Sequence, residues 1–349
     1  MKYRKLGHSG LSVSNLILGT MGFGTETPEK EAFTILDAFL EAGGNTIDTS
    51  DVYGKGASEE LLGRWRASRV DATSRLVIAT KARFGTGPDV NDVGASRPHL
   101  HRALNTSLRR LGVETIDLYQ MHGWDPLTPV EETLTFLDAA VRAGKIHYIG
   151  LSNFTGWQLQ LVLSTAQAMG LQMPITLQQQ YNLIYREVEY EVIPAALHNG
   201  IGLLPWSPLA AGFLSGKYIR GTSSGDGGRL ASENPMTQHQ AKQIHNDDKK
   251  WATLDAVRDI AKQIGATPSQ VALSWVVNQP SVTAPVIGAR TMEQLQDNLA
   301  AADLVLDADL TAKLSAISLP MPDDYPYGRF GELQRKRYID SSEQALREL

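Results

Sequence analysis

Eight short apolar runs, nearly all followed by an amphipathic helix-like stretch, recur along the 349-residue chain. The runs are Leu16–Gly19, Asn45–Asp48, Leu76–Lys81, Ile116–His122, Ile146–Ser152, Ile175–Gln179, Gly202–Trp206 and Ala284–Ile287. They show little polar/apolar alternation, as strands buried on both faces of a parallel sheet do. Helix-like stretches cover Pro28–Ala42, Ser58–Arg66, Pro98–Leu111, Pro129–Arg142, Trp157–Met169, Glu189–His198, Pro268–Asn278 and Met292–Ala300. Several open on Pro or Ser/Thr and close at glycine, as at Gly43, Gly112, Gly144, Gly170 and Gly200. Eight βα units in one chain of this length predict an α/β fold, a (β/α)8 TIM barrel.

Three segments lie outside that plan. Lys2–Val13, with a GHSG turn, reads as a β-hairpin suited to plugging the bottom of the barrel. An inserted loop/helix of about Leu214–Asn246 follows the seventh strand, and its TSSGDGG stretch has the composition of a flexible loop. Beyond Leu319 the chain turns polar and charged, so residues 320–349 read as a tail on a single domain spanning 1–349.

Composition narrows the function. A net charge of −5 and a pI near 5.9 leave no electrostatic footprint for nucleic acid or an anionic membrane. With no cysteine, disulfides, thiolate nucleophiles and cysteine-ligated metals are excluded. No signal-peptide-like or membrane-spanning run is found, so the expectation is a cytoplasmic enzyme. The pair His99 and His101 heads a helix, where neighbours i and i+2 point to different faces, and no H-E-x-x-H accompanies it. No metal is expected.

Four polar residues stand at or just beyond the C-terminal ends of the early strands: Asp48 and Tyr53 in NTIDTSDVYG, Lys81 in LVIATK and His122 in IDLYQMHG. In a parallel barrel those ends share one face, where active sites lie. Tyr53 can donate a proton to a developing alkoxide, but an unperturbed phenol has a pKa of roughly 10. A neighbouring Lys81 ammonium favours the phenolate and makes the phenol a better acid. Asp48 can hold that lysine by a charge-assisted hydrogen bond, and His122 can donate to a carbonyl oxygen. The constellation points to an oxidoreductase.

The chain resembles the aldo-keto reductase family over nearly the whole barrel. The resemblance runs through LGTMGFG, NTIDTSDVYG, IATK, IDLYQMHG, IGLSNF, QQQYNL, PWSPLAAGFLSGKY and PVIGART. The details of GFG, HGWDP and GARTMEQLQDN are most similar to its bacterial, potassium-channel-β-like branch. That resemblance implies reduction of aldehydes or ketones by NADPH, with Tyr53 as general acid and Asp48, Lys81 and His122 completing its tetrad. It also implies a cofactor held without a Rossmann fingerprint, since no G-x-G-x-x-G occurs.

By the same resemblance Thr20, Met21 and Asp48 border the cofactor, and Ser152, Asn153 and Gln178 meet the nicotinamide carboxamide. Trp206 offers a stacking face where many animal relatives have tyrosine. Ser207, Pro208, Leu209, Ala210, Gly212 and Lys217 lie along the pyrophosphate, Gly288 borders the adenine end, and Arg290 meets the 2′-phosphate, which favours NADPH. Gln294 and Asn298, four apart on a helix, reach the adenine. Gly288 and Gln294 replace basic residues common elsewhere in the family. A small carbonyl substrate is expected against Met21, Phe23, Trp124 and Tyr327, with Gly221–Gly228 as a gate. The rival expectation is a slow-turnover NADP-binding regulatory subunit that keeps the same residues.

Overall fold

A computed structural model describes residues 1–221, 230 and 235–337. The chain divides into two compact units, Met1–Ser318 and Leu319–Leu349. In the second, Asp324 anchors the helix Arg329–Arg335. Its Oδ1 accepts from the Phe330 amide at 2.9 Å and its carbonyl from the Gly331 amide at 3.0 Å.

Among the described residues the first unit is built on ten strands. β1 (Tyr3–Lys5) and β2 (Ser12–Ser14) form an antiparallel hairpin. β3 (Ile17–Gly19), β4 (Thr46–Asp48), β5 (Val77–Ala82), β6 (Ile116–Met121), β7 (Ile146–Ser152), β8 (Thr176–Gln180), β9 (Gly202–Trp206) and β10 (Val286–Gly288) form a closed parallel barrel, with β10 between β9 and β3. The expected (β/α)8 barrel is what the chain forms. The barrel leaves no free strand edge.

The hairpin plugs the N-terminal end of the barrel. Leu6 and Val13 are fully buried in one cluster with Ile17, Val77, Leu118, Leu204 and Ala284. Burial of each such side chain contributes roughly 1.5–3 kcal/mol. Arg4 adds hydrogen bonds from Nη1 to the carbonyls of Val277 and Val282, at 2.7 and 2.9 Å. Gly7 is required where it stands: its φ is +56°, and a Cβ would sit 2.2 Å from the Ile175 carbonyl oxygen.

The helices around the barrel bury apolar stripes against it, and a large cluster including Leu36, Phe39, Leu104, Leu137 and Leu163 fills the space between. Gly112 ends the helix Arg97–Leu111 in the left-handed conformation, the usual glycine stop.

The structure differs from the sequence expectation between β9 and β10. Among the described residues three helices stand there, Pro235–His245 within the expected loop/helix insertion, Pro268–Val277 as expected, and between them Asp248–Ile264, which was not expected. The middle one carries its own signals. Asp247 caps it by accepting from the Lys249 and Lys250 amides, and Trp251, Leu254, Val257, Ile260 and Ala261 form its buried stripe. Nor is Met292–Ala300 the last helix, because Asp307 caps a further one at Ala308–Ile317. The expected gate, Gly221–Gly228, lies outside the described residues apart from Gly221. No described helix is long and apolar enough to cross a membrane.

Candidate active site

The parallel register sets Asp48 beside Gly19 and Ala79, and Lys81 beside Gln120, so the C-terminal ends of β3 to β6 face one mouth. Lys81 is fully buried there. Its ammonium donates to Asp48 Oδ2 at 2.5 Å, to the Thr49 carbonyl at 2.8 Å and to the Tyr53 hydroxyl at 3.3 Å. A lysine ammonium has three donors, and these partners account for all of them. Burial pulls the Lys81 pKa down, but the Asp48 and Tyr53 charges and hydrogen bonds outweigh it, and the net shift is upward.

Asp48 is held from its other side as well. Its Oδ1 accepts from Gln120 Nε2 at 3.0 Å and from Gln178 Nε2 at 2.9 Å. Tyr53 reaches the mouth from a tight turn, Tyr53–Gly56, that follows β4. Arg110, from the helix Arg97–Leu111, pins this turn through the carbonyls of Asp51 (3.2 Å) and Lys55 (3.4 Å) and through Glu59 Oε2 (3.2 Å). A Cβ on Gly56 would strike the Arg110 guanidinium at 2.2 Å, so only glycine lets the arginine in.

His122 follows β6, its amide donating to the Ala82 carbonyl at 2.9 Å. Its ring stands edge-on to Tyr53 with centroids 5.8 Å apart, and Phe84 lies at 4.5 Å on another side. Burial, with help from the Lys81 and Arg83 charges, pushes its pKa down to about 2. The imidazole is therefore neutral across the working pH range. The Ser50 hydroxyl lies 3.0 Å from its Nδ1.

Asp48, Tyr53 and Lys81 thus form one hydrogen-bonded cluster, with the His122 ring edge-on to Tyr53. Next to it, Asn153 sits at φ 60° and ties three strand ends together. Its Nδ2 donates to the His122 carbonyl at 2.9 Å and to Ser152 Oγ at 3.1 Å, and its Oδ1 accepts from Trp206 Nε1 at 3.1 Å. Trp206 is half-buried. Thr20 is fully buried and commits its hydroxyl to the loop, 3.1 Å from the Asp48 carbonyl and 2.7 Å from Ser58 Oγ, while Met21 is exposed.

A second group gathers where β9 and β10 adjoin, Val286 pairing with Trp206. Ser207, Ala210 and Ala211 are left-handed at φ 50–54°, with Gly212 at 85°. Non-glycine residues hold such backbone only where surroundings over-determine it, often at binding sites. Pro208 and Leu209 complete this turn. Lys217 is close enough to Arg290 for its pKa to be lowered by burial and then by that guanidinium. Arg290 also stands 3.6 Å from Glu26, and its amide donates to Gln294 Oε1 at 2.9 Å. Gly288 is exposed, with open space where a Cβ would be. Asn298 is buried and donates to the Gly288 carbonyl at 3.1 Å, so it braces this loop, whereas Gln294 is exposed.

Some expectations need correction. Phe23 is buried in the core rather than lining the mouth, and Phe84 stands against His122 instead. Trp124 packs edge-on against Phe154 and Trp157. Gln120, Ser50, Asp51, Glu59 and Arg110 went unread in the sequence. Gln120 had a signal: in DLYQMH it lies two residues before His122, on the same face of the strand. Among the described residues no group of three or more His, Asp or Glu is arranged to hold a metal.

Residues 15–318 match the model of the aldo/keto reductase family. The chain is 38% identical over 326 residues to the uncharacterized oxidoreductase YrpG of Bacillus subtilis (strain 168), covering 91% of this chain and 96% of that protein. It is 35% identical over 307 residues to a probable voltage-gated potassium channel subunit beta of Arabidopsis thaliana, covering 87% and 92%. It is 34% identical over 329 residues to versiconal hemiacetal acetate reductase of Aspergillus parasiticus, covering 88% and 94%. With this barrel, this mouth and these matches over most of its length, the chain belongs to the aldo/keto reductase family of oxidoreductases.

Proposed function

We propose that this chain is an NADPH-dependent reductase of small aldehydes or ketones, working in the cytoplasm, with Tyr53 as the proton donor. The observation that carries this reading is the buried Lys81 ammonium, which touches both Asp48 and the Tyr53 hydroxyl.

The second group of residues fits a phosphorylated nucleotide. Lys217 and Arg290 bring two cations together beside an open glycine and a left-handed turn, an arrangement suited to an anion. Trp206 can stack on a ring; Asn153, Ser152 and Gln178 can meet an amide; and Arg290 and Lys217 can hold phosphates, Arg290 the 2′-phosphate. Gln294 stands at the adenine end, and Asn298 braces the Gly288 loop beside it. Bound NADPH supplies the hydride that no side chain can.

The residues of the chain handle the proton. Neutral His122 orients the carbonyl by hydrogen bonding to its oxygen. Tyr53 gives its hydroxyl proton to that oxygen as negative charge develops on it. Lys81 stabilises the phenolate left behind, and Asp48, fixed by Gln120 and Gln178, keeps the ammonium in place.

The similarity to a probable voltage-gated potassium channel subunit beta favours a second reading, an NADP-binding regulatory subunit with little turnover. The test is NADPH oxidation with a panel of simple aldehydes, including nitrobenzaldehyde and methylglyoxal, beside NADPH binding followed by tryptophan quenching. Turnover supports the reductase. Binding without turnover on any aldehyde supports the regulatory subunit.

A further inference from the structure

Behind His122 lies a buried polar chain that the proton chemistry above leaves unused. Ser50 Oγ stands 3.0 Å from His122 Nδ1 and 3.2 Å from Asp51 Oδ1. Ser50 and Asp51 are both buried, and the Val52 amide also points at Ser50 Oγ, at 3.5 Å. Asp51 Oδ2 is buried with no hydrogen-bond partner among the described residues.

We propose that Ser50 and Asp51 form a relay that sets the His122 tautomer, so that carbonyl reduction runs with Asp51 protonated and alcohol oxidation with Asp51 ionised. This rests on the reductase reading above. Ser50 and Asp51 are positioning residues and act only through His122.

A serine hydroxyl has a single proton to donate. An ionised Asp51 can only accept, so Ser50 donates to Asp51 Oδ1 and turns a lone pair toward His122. The neutral ring must then carry its proton on Nδ1, which leaves Nε2 bare and able only to accept, as an alcohol requires. A protonated Asp51 donates from Oδ1 to Ser50, and Ser50 donates to Nδ1. The ring proton is then on Nε2, able to donate to a carbonyl oxygen. The two patterns differ by one proton. It enters at Nε2 from the mouth, the Nδ1 proton passes to Ser50 Oγ, and the Ser50 proton passes to Asp51 Oδ1. The reverse sequence returns it.

The surroundings of Asp51 suit it to this exchange. Burial and then the Glu59 carboxylate, from the helix Ala57–Ala67, raise its pKa to about 7, against the pull of Ser50, Arg110 and Lys81. Arg110 divides its guanidinium between Glu59 and backbone carbonyls, and Lys81 is paired with Asp48. From β6, Tyr119 faces both carboxylates, and its own phenol is pushed well above the ordinary tyrosine range by burial first and by those two charges. Burial first, and then the Lys81 and Arg83 charges, disfavour a protonated, charged His122 ring.

The test is 15N NMR of the histidine ring nitrogens in the full wild-type chain, with His122 assigned by its loss in His122→Gln. The expected result is an exchange of protonated and bare nitrogen between Nε2 and Nδ1 as pH crosses about 7, absent in both Asp51→Asn and Ser50→Ala. In parallel, wild-type kcat for reduction should fall about tenfold per pH unit above that midpoint, and alcohol oxidation should fall likewise below it. Asp51→Asn should flatten both profiles. One tautomer throughout in the wild type, or a switch that survives in both variants, overturns the relay. So do wild-type profiles that ignore the switch. A chain that turns over with a fixed tautomer loses the relay and keeps the reductase reading; one that switches but reduces no aldehyde keeps the relay chain and loses the reductase reading.

Discussion

Lys81 Nζ lies 3.3 Å from the Tyr53 hydroxyl while the same ammonium is held 2.5 Å from Asp48 Oδ2. The lysine has no water-facing surface, so its charge is balanced only by what it touches. Removing it strands a buried carboxylate. Lys81→Met should therefore lose roughly 3–5 kcal/mol of stability in urea unfolding. The double variant Lys81→Met/Asp48→Asn should recover part of that loss. Additive losses would show that the pair is not coupled.

Arg290→Ala should weaken NADPH by roughly tenfold to a hundredfold and leave NADH nearly unchanged, the scale of one charge-assisted hydrogen-bond set at about 1.5–3 kcal/mol. Tryptophan quenching with each nucleotide measures it. Equal weakening of both would remove the 2′-phosphate from Arg290.

Leu6→Ala should destabilise the first unit by about 2–5 kcal/mol, because the plug is close-packed beneath the barrel. NADPH affinity should not change, since the mouth is at the opposite end. A loss of affinity with intact stability would contradict the division between a structural bottom and a working top.

Stability should respond to pH through His122 and Asp51 in opposite senses. The folded His122 stays neutral down to about 2, whereas the unfolded side chain takes up a proton near its ordinary 6.5. Its contribution is complete above 6.5 and is lost as pH falls toward 2. The folded Asp51 keeps its proton up to about 7, against an ordinary 3.8. Its contribution is complete below 3.8 and is lost as pH rises through 7. Thus His122→Gln should reduce the loss of stability on acidification, and Asp51→Asn should be relatively more stable above pH 7 than below 4. Denaturant midpoints across pH would show either slope unchanged if the assignment is wrong.

Much of this was readable from residues alone, for a reason visible in particular places. Asp48, Lys81 and His122 are polar groups at the ends of apolar strands, and parallel barrel topology carries all such ends to one face whatever the loops do. The Ser50–Asp51 chain was not readable. Asp51 is buried because Arg110, 59 positions away, draws the loop down, and no local pattern records that contact. Asn298 looked like half of an exposed helical pair, yet a carbonyl at Gly288, ten residues earlier, turns it inward. The helix Asp248–Ile264 had both cap and stripe in its sequence. It was hidden by the loop-like composition just before it.

The central claim is that Tyr53 delivers the proton. The direct measurement is single-turnover reduction of nitrobenzaldehyde by the NADPH-loaded chain, wild type against Tyr53→Phe, with NADPH affinity measured on both. Unchanged affinity and a rate lowered by about a hundredfold to ten-thousandfold are expected in the variant. Equal rates in the two proteins, at equal occupancy, would contradict that claim.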